Sequence, residues 1–128
     1  MANENLVTIT DDLGRAWGGV QMRLTQYGYR NDPYMDSETR KGHGAYHHLE
    51  RDVSVALTDS ALASLGLSRS QVRRNPFFVD LKLKGGGVLT RRIDDRAPQR
   101  GRRVDLYNLS GFDRRLPDYA DVSLHGHR

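Results

Sequence analysis

The sequence predicts a mainly-β fold, a compact barrel of six or seven short strands with one or two small helices inserted. Three observations carry this. Thirteen glycines stand against four prolines, which implies many turns rather than long helices. The apolar stretches are short and alternate with polar residues at period two. Turn-forming clusters separate them at short intervals, as in strands that close a sheet on itself. The 128 residues, 37% apolar and 28% charged, suit one domain with a small core and a well-solvated surface.

Taken in order, residues 6–10 (LVTIT) alternate and form a short strand closed by Asp11-Asp12. Residues 13–19, with Gly14, Gly18 and Gly19 around Trp17, read as a loop. Residues 20–27 form a period-two strand with Val20, Met22 and Leu24 on one face. Residues 1–19 are therefore assigned to an N-terminal strand or arm and 20–128 to the barrel. From Gly28 to Arg51 the chain is polar and turn-rich, without a helical or strand period. A stretch of that kind inside a compact domain is usually functional or mobile.

Residues 53–57 (VSVAL) form the next strand and run into Thr58-Asp59-Ser60, a helix start, with Gly66 ending the helix. Residues 68–74 add a helical turn before Asn75-Pro76. Residues 77–84 and 88–93 are strands joined by Gly85-Gly86-Gly87, a hairpin signal. A short strand at 104–107, a helical turn at 110–115 and a closing strand at 120–124 complete the chain.

Composition bounds the function. Without cysteine there is neither a disulfide nor thiolate chemistry. No run approaches the roughly 18 apolar residues of a membrane span. The N-terminus lacks the basic and apolar regions of a secretory signal, so a cytoplasmic protein and a cell-envelope protein exported by another route, or after loss of a signal, both stay open. A net charge of +4 and an isoelectric point near 9.7 favour a polyanionic partner, against the alternative of a solvated basic face. Nucleic acid is not the expected polyanion, because the basic residues interleave with acids and no recognition motif accompanies them. His43, His47 and His48, with Glu50 or Asp52 nearby, have the residue types of a zinc site, but Gly42, Gly44 and Tyr46 argue against the helix that would align them. Neither a metal nor a cofactor is expected, and the chain is expected to be a monomer. His125 and His127 lie at the C-terminal end and carry no assignment.

The densest chemistry lies between Ile93 and Tyr107, where Asp94, Asp95 and Asp105 stand among Arg96, Arg100, Arg102 and Arg103 around a Pro/Gly-containing loop. A carboxylate ending one strand and another opening the next point two titratable groups at one place. "DVSVALTDSALASLG", followed by a hairpin and "RRIDDRAPQRGRRVDLYNLSGF", resembles the double-psi β-barrel of rare lipoprotein A, the 3D-domain proteins, lytic transglycosylase A and the expansins. Asp95-Arg96-Ala97-Pro98 and Val104-Asp105-Leu106 stand at the spacing those families use, with Ala97 in place of their glycine. The resemblance spans residues 20–125 and is dense over 53–113; residues 28–51 match no version of the family.

The resemblance implies a six-stranded double-psi barrel acting on peptidoglycan or another anionic glycan, with Asp105 as general acid/base and Asp95 supporting it. To act as an acid near neutral pH, Asp105 must be raised by burial or by a neighbouring carboxylate. Inward-pointing Arg96, Arg102 or Arg103 would oppose this, leaving an ionised acceptor for sugar hydroxyls. Arg96 and Arg103 are expected to contact substrate. Tyr27, Tyr29, Tyr34 and Tyr46 are candidate sugar-stacking residues, with Tyr27 and Tyr29 preferred. Thr39 and Gly42 are similar to a Thr-x-x-Gly step near the substrate in related barrels. A second carboxylate, needed if water is the nucleophile, would come from Asp32, Asp36 or Glu38. Three alternatives stay open: a barrel that binds glycan without cutting it, a basic barrel that binds nucleic acid or protein, and aspartates that merely pair with Arg96 or Arg103 to fasten the strands.

Overall fold

The computed structural model describes residues 6–10, 16–29, 32–33, 35–108 and 111–126. Its strands are β1 (Leu6–Thr10), β2 (Ala16–Tyr27), β3 (Ser54–Leu57), β4 (Phe78–Leu83), β5 (Val88–Arg96), β6 (Arg103–Tyr107) and β7 (Tyr119–Leu124). Three short helices are inserted: α1 (Ser37–Arg40), α2 (Asp59–Ser64) and α3 (Arg69–Arg74). The order β2-β6-β3-β5-β4-β7 returns to β2 through a β2–β7 pairing, so six strands form a closed ring. The pairs β2–β6 and β3–β5 are parallel; the other pairings in the ring are antiparallel. A six-stranded closed barrel with short inserted helices is consistent with the double-psi β-barrels in general. Strand β1 lies outside the ring and pairs with the first part of β2, from Leu6↔Val20 to Thr10↔Ala16.

Alternation along each strand builds the core. Val20, Met22 and Leu24 of β2 meet Val55 and Leu57 of β3, Val79 and Leu81 of β4, Ile93 of β5, Val104 and Leu106 of β6, and Ala120 and Val122 of β7. Helices α2 and α3 add Ala61, Leu62 and Val72 to the same cluster. Burying a side chain such as Leu57 or Ile93 contributes about 2 kcal/mol. Thr58 starts α2 by accepting from the Ala61 N–H, and Ser68 starts α3 through a capping box with Gln71.

Three expectations are corrected. Residues 16–19 are strand, not loop, because backbone pairing with β1 extends β2 through Trp17, Gly18 and Gly19. Within 28–51, where no helical period is expected, residues 37–40 form the short helix α1, capped by Asp36 through the Thr39 N–H, and Leu49 N–H donates to the Gly42 carbonyl at 2.8 Å. No helical turn forms at 111–115; Asp113 accepts from the Arg115 N–H at 2.9 Å and makes a plain turn instead. Among the described residues no helix is long and apolar enough to cross a membrane.

Candidate functional site

Strand β5 departs from regular pairing where the acids begin. Val55 pairs with Ile93 but Ala56 pairs with Asp95, so Asp94 is the extra residue of a β-bulge. Its carbonyl, released from the ladder, accepts the N–H groups of Tyr46 and His47, each at 3.0 Å. Its carboxylate is fully buried, takes Arg92 Nε at 2.7 and 2.9 Å, and accepts the Ser54 hydroxyl. Asp94 is therefore a structural pin.

After the bulge, the ladders align four residues in one row across four strands: Asp95 on β5, Ala56 on β3, Asp105 on β6 and Thr25 on β2. Each neighbour of Ala56 and Asp105 along its own strand is a core residue, so the row lies on the outer face. A groove of about 750 Å³ crosses this row. The carbon backbones of Asp95 and Asp105 are two strand spacings apart, about 10 Å, with the small Ala56 between them.

The two groove aspartates have different surroundings. Asp95 Oδ1 accepts the N–H of Ala45 and of Arg96, both at 2.8 Å, and Oδ2 accepts the Tyr27 hydroxyl at 3.0 Å. Burial raises its pKa and these three bonds oppose the rise. Asp105 is 9% exposed, and its Oδ1 has no hydrogen-bond partner. Burial lifts its pKa to about 7, while the Thr25 hydroxyl and the Arg103 guanidinium pull it down; Asp32 and Asp95 push it further up. Burial is thus the main cause, and Asp32 is a stronger carboxylate neighbour than Asp95.

The arginines divide. Arg96 turns away from both groove acids and forks onto Asp59, with Nε and a terminal nitrogen each 3.0 Å from its carboxylate. Arg69 binds the same carboxylate, which these guanidiniums hold far below the usual range. Arg103 stays beside Asp105, with its Nε buried and unpartnered. Among the described residues neither Asp95 nor Asp105 forms a salt bridge, and Arg96 pairs with Asp59 rather than with either of them.

Tyr27, Tyr29, Thr39, Arg96 and Arg103 all line the groove, as do Asp95, Asp105, Asp32 and Asp36. Tyr27 is packed on Tyr107 at 5.4 Å between ring centres, and burial with its bond to Asp95 raises its hydroxyl pKa strongly. Tyr29 meets Phe112 edge-on at 5.4 Å. Asp32 is buried, and its Oδ2 accepts the Gly28 N–H at 2.9 Å. Gly28 has a φ of +75°, and a Cβ there would lie 2.5 Å from the Tyr107 ring, so this turn needs glycine. Glu38 stands apart, bound to His43 at 2.9 Å. Tyr46 is a core residue, and Tyr34 lies outside the described residues.

His47 Nε2 donates to the Val72 carbonyl at 2.7 Å, and the His43 and His48 rings are 6.2 Å apart. Among the described residues no three His, Asp or Glu side chains converge in a way that could hold a metal.

The sequence reading missed Thr25, Ala56 and the Ala45 N–H. Thr25 was accessible, since alternation along β2 places it opposite the core face. Ala45 was not, because only the docked loop brings it to Asp95. No protein-family model matches the chain, and neither a curated protein nor a solved structure matches it.

Proposed function

We propose that this barrel cleaves the glycan strands of peptidoglycan in the manner of a lytic transglycosylase, with Asp105 as general acid/base. Asp105 carries the reading: a buried groove carboxyl with a free oxygen and a pKa of about 7. Such a group is protonated often enough at neutral pH to donate to a glycosidic oxygen, and then basic enough to take a proton back. In the first step it protonates the leaving oxygen as the anomeric carbon becomes oxocarbenium-like. In the second, the carboxylate accepts the proton of the sugar's own 6-hydroxyl as that oxygen attacks the anomeric carbon. The product is a 1,6-anhydro sugar, and no second carboxylate is required. Asp95, held by Ala45, Arg96 and Tyr27, keeps the groove wall polar and positions Tyr27 over the row. Tyr29, Thr39, Arg96 and Arg103 are proposed to contact the glycan.

A second reading has its own support. Arg103, buried at Nε without a partner, is placed to favour the charged form of Asp105. With that effect dominant, the groove holds glycan without cutting it.

The test is incubation of the protein with purified peptidoglycan and mass detection of anhydromuropeptides. Product is expected from the wild type, with a loss of at least about a hundredfold in Asp105→Asn. Undiminished turnover in Asp105→Asn removes the catalytic assignment. Pelleting with cell wall but without product selects the binding reading.

A further inference from the structure

Among the described residues four large apolar side chains stand exposed: Phe78, Val88, Phe112 and Tyr119. Single exposed apolar residues are ordinary on a protein surface. Phe112 differs from the other three in two respects. It is the most exposed, at 55%, and it alone of the four lines the groove that holds Asp95 and Asp105.

The ring is also fixed in place. Gln26 clamps the next residue: its Nε2 donates to the Asp113 carbonyl at 2.9 Å, and its Oε1 accepts the Asp113 N–H at 2.8 Å and the Asn108 side-chain amide at 2.9 Å. Gln26 belongs to β2, so the backbone beside Phe112 is tied to the barrel. Tyr29 meets the ring itself, with centres 5.4 Å apart and planes at 76°. An edge-on neighbour orients an aromatic ring without covering both of its faces. A ring ordered before its ligand arrives loses little freedom on binding.

The surroundings select the ligand. An apolar partner, whether protein or lipid, needs a continuous apolar patch, but Asp95, Asp105, Asp113 and Arg103 line the same groove. A lone ring among polar groups matches a ligand that is apolar on its face and polar around its edge. A pyranose has that form, with hydroxyls at the rim and C–H bonds on the faces, and the negative face of an aromatic ring attracts those C–H bonds. We propose that Phe112 is the sugar-stacking platform of the groove, against which one pyranose ring of the glycan lies, and that Gln26 is its positioning residue. This rests on reading the groove as a glycan site. It moves the stacking role away from Tyr27, whose ring is packed on Tyr107 and whose hydroxyl is held by Asp95.

The probe is the tetramer of β-1,4-linked N-acetylglucosamine, which is uncharged and so separates stacking from any effect of the arginines. It is titrated calorimetrically into the full chain carrying Asp105→Asn, in which the proposed chemistry is blocked. One-to-one binding is expected. Adding Phe112→Ala should weaken it about tenfold, and Phe112→Leu, apolar but without a flat face, about fivefold or more. Phe112→Trp should bind as tightly or tighter. Tm should change little, because the residue is more than half exposed; should Phe112→Ala fail to fold, Phe112→Leu decides. Gln26→Met should weaken the tetramer but add no further loss to Phe112→Ala, whereas an additive loss overturns positioning by Gln26. Unchanged affinity in Phe112→Ala or Phe112→Leu, or no binding of the tetramer, overturns the stacking proposal. Release of anhydromuropeptides by the wild type is a separate readout. Phe112-dependent binding without product leaves stacking standing and removes cleavage; product without such binding does the reverse.

Discussion

Asp105 keeps its proton to about pH 7 because the barrel withholds water from it, and that has a measurable cost. Its folded pKa is raised above the unfolded value, so the folded state binds the proton more tightly. The contribution to stability is complete below about pH 4 and is lost as pH rises toward 7. Over about three pH units at about 1.4 kcal/mol each, the loss is on the order of 4 kcal/mol. Asp105→Asn should therefore match the wild type in urea unfolding at pH 4 and exceed it at pH 8. Parallel stability curves for the two proteins would contradict this. The same titration sets the proposed catalysis, whose acid step should weaken as pH rises through 7. Asp94→Ala strands Arg92 and the Ser54 hydroxyl beside a buried gap, and should cost about 3 kcal/mol in chemical denaturation at neutral pH.

At the scale of elements, one bulge and one loop assemble the acid row. The bulge frees the Asp94 carbonyl, residues 44–47 dock on it, and docking delivers the Ala45 N–H to Asp95. Gly44 makes the approach possible, since a Cβ there would meet the Asp94 carbonyl oxygen at 2.3 Å and the His47 carbonyl oxygen at 2.6 Å. Backbone cannot yield as a flexible side chain does. Gly44→Ala should therefore undock the loop, cost about 2 kcal/mol or more, and expose the amides of Tyr46 and His47 to faster hydrogen exchange. Protection of those amides equal to the wild type would refute the docking argument.

This is also where sequence reading loses its hold. The strands of the barrel were legible because Val20, Met22, Leu24 and their counterparts alternate, and α2 and α3 because Thr58 and Ser68 announce them. The groove acids Asp95 and Asp105 were legible through their spacing. The bulge was not, because Ile93-Asp94-Asp95 reads as the end of a strand and nothing local marks which aspartate leaves the ladder. The loop 44–47 was opaque for a related reason: hydrogen bonds from Tyr46 and His47 to the distant Asp94 carbonyl hold it, and these leave no period in the chain. Trp17-Gly18-Gly19 misled in the other direction, with loop composition overridden by pairing to β1.

For the whole molecule, closure of the ring matters more than the extra strand. Among the described residues β1 pairs with β2 alone, and every pairing that closes the ring begins at Val20 or later. Removing residues 1–15 should therefore leave a cooperative unfolding transition and the far-ultraviolet spectrum of a β-barrel. Loss of the transition would show that β1 is part of the folding unit. Folding itself should be slow for a chain of this size, because the parallel β2–β6 ladder joins Arg23 to Arg103 and cannot form from local contacts.

The row Asp95–Ala56–Asp105–Thr25 draws one residue from each of four strands, and no two adjacent members of it are neighbours in sequence. A nascent chain therefore carries no groove until β6 has left the ribosome. Any action proposed for the groove therefore waits until the chain is nearly complete, and the order of the strands alone imposes that delay.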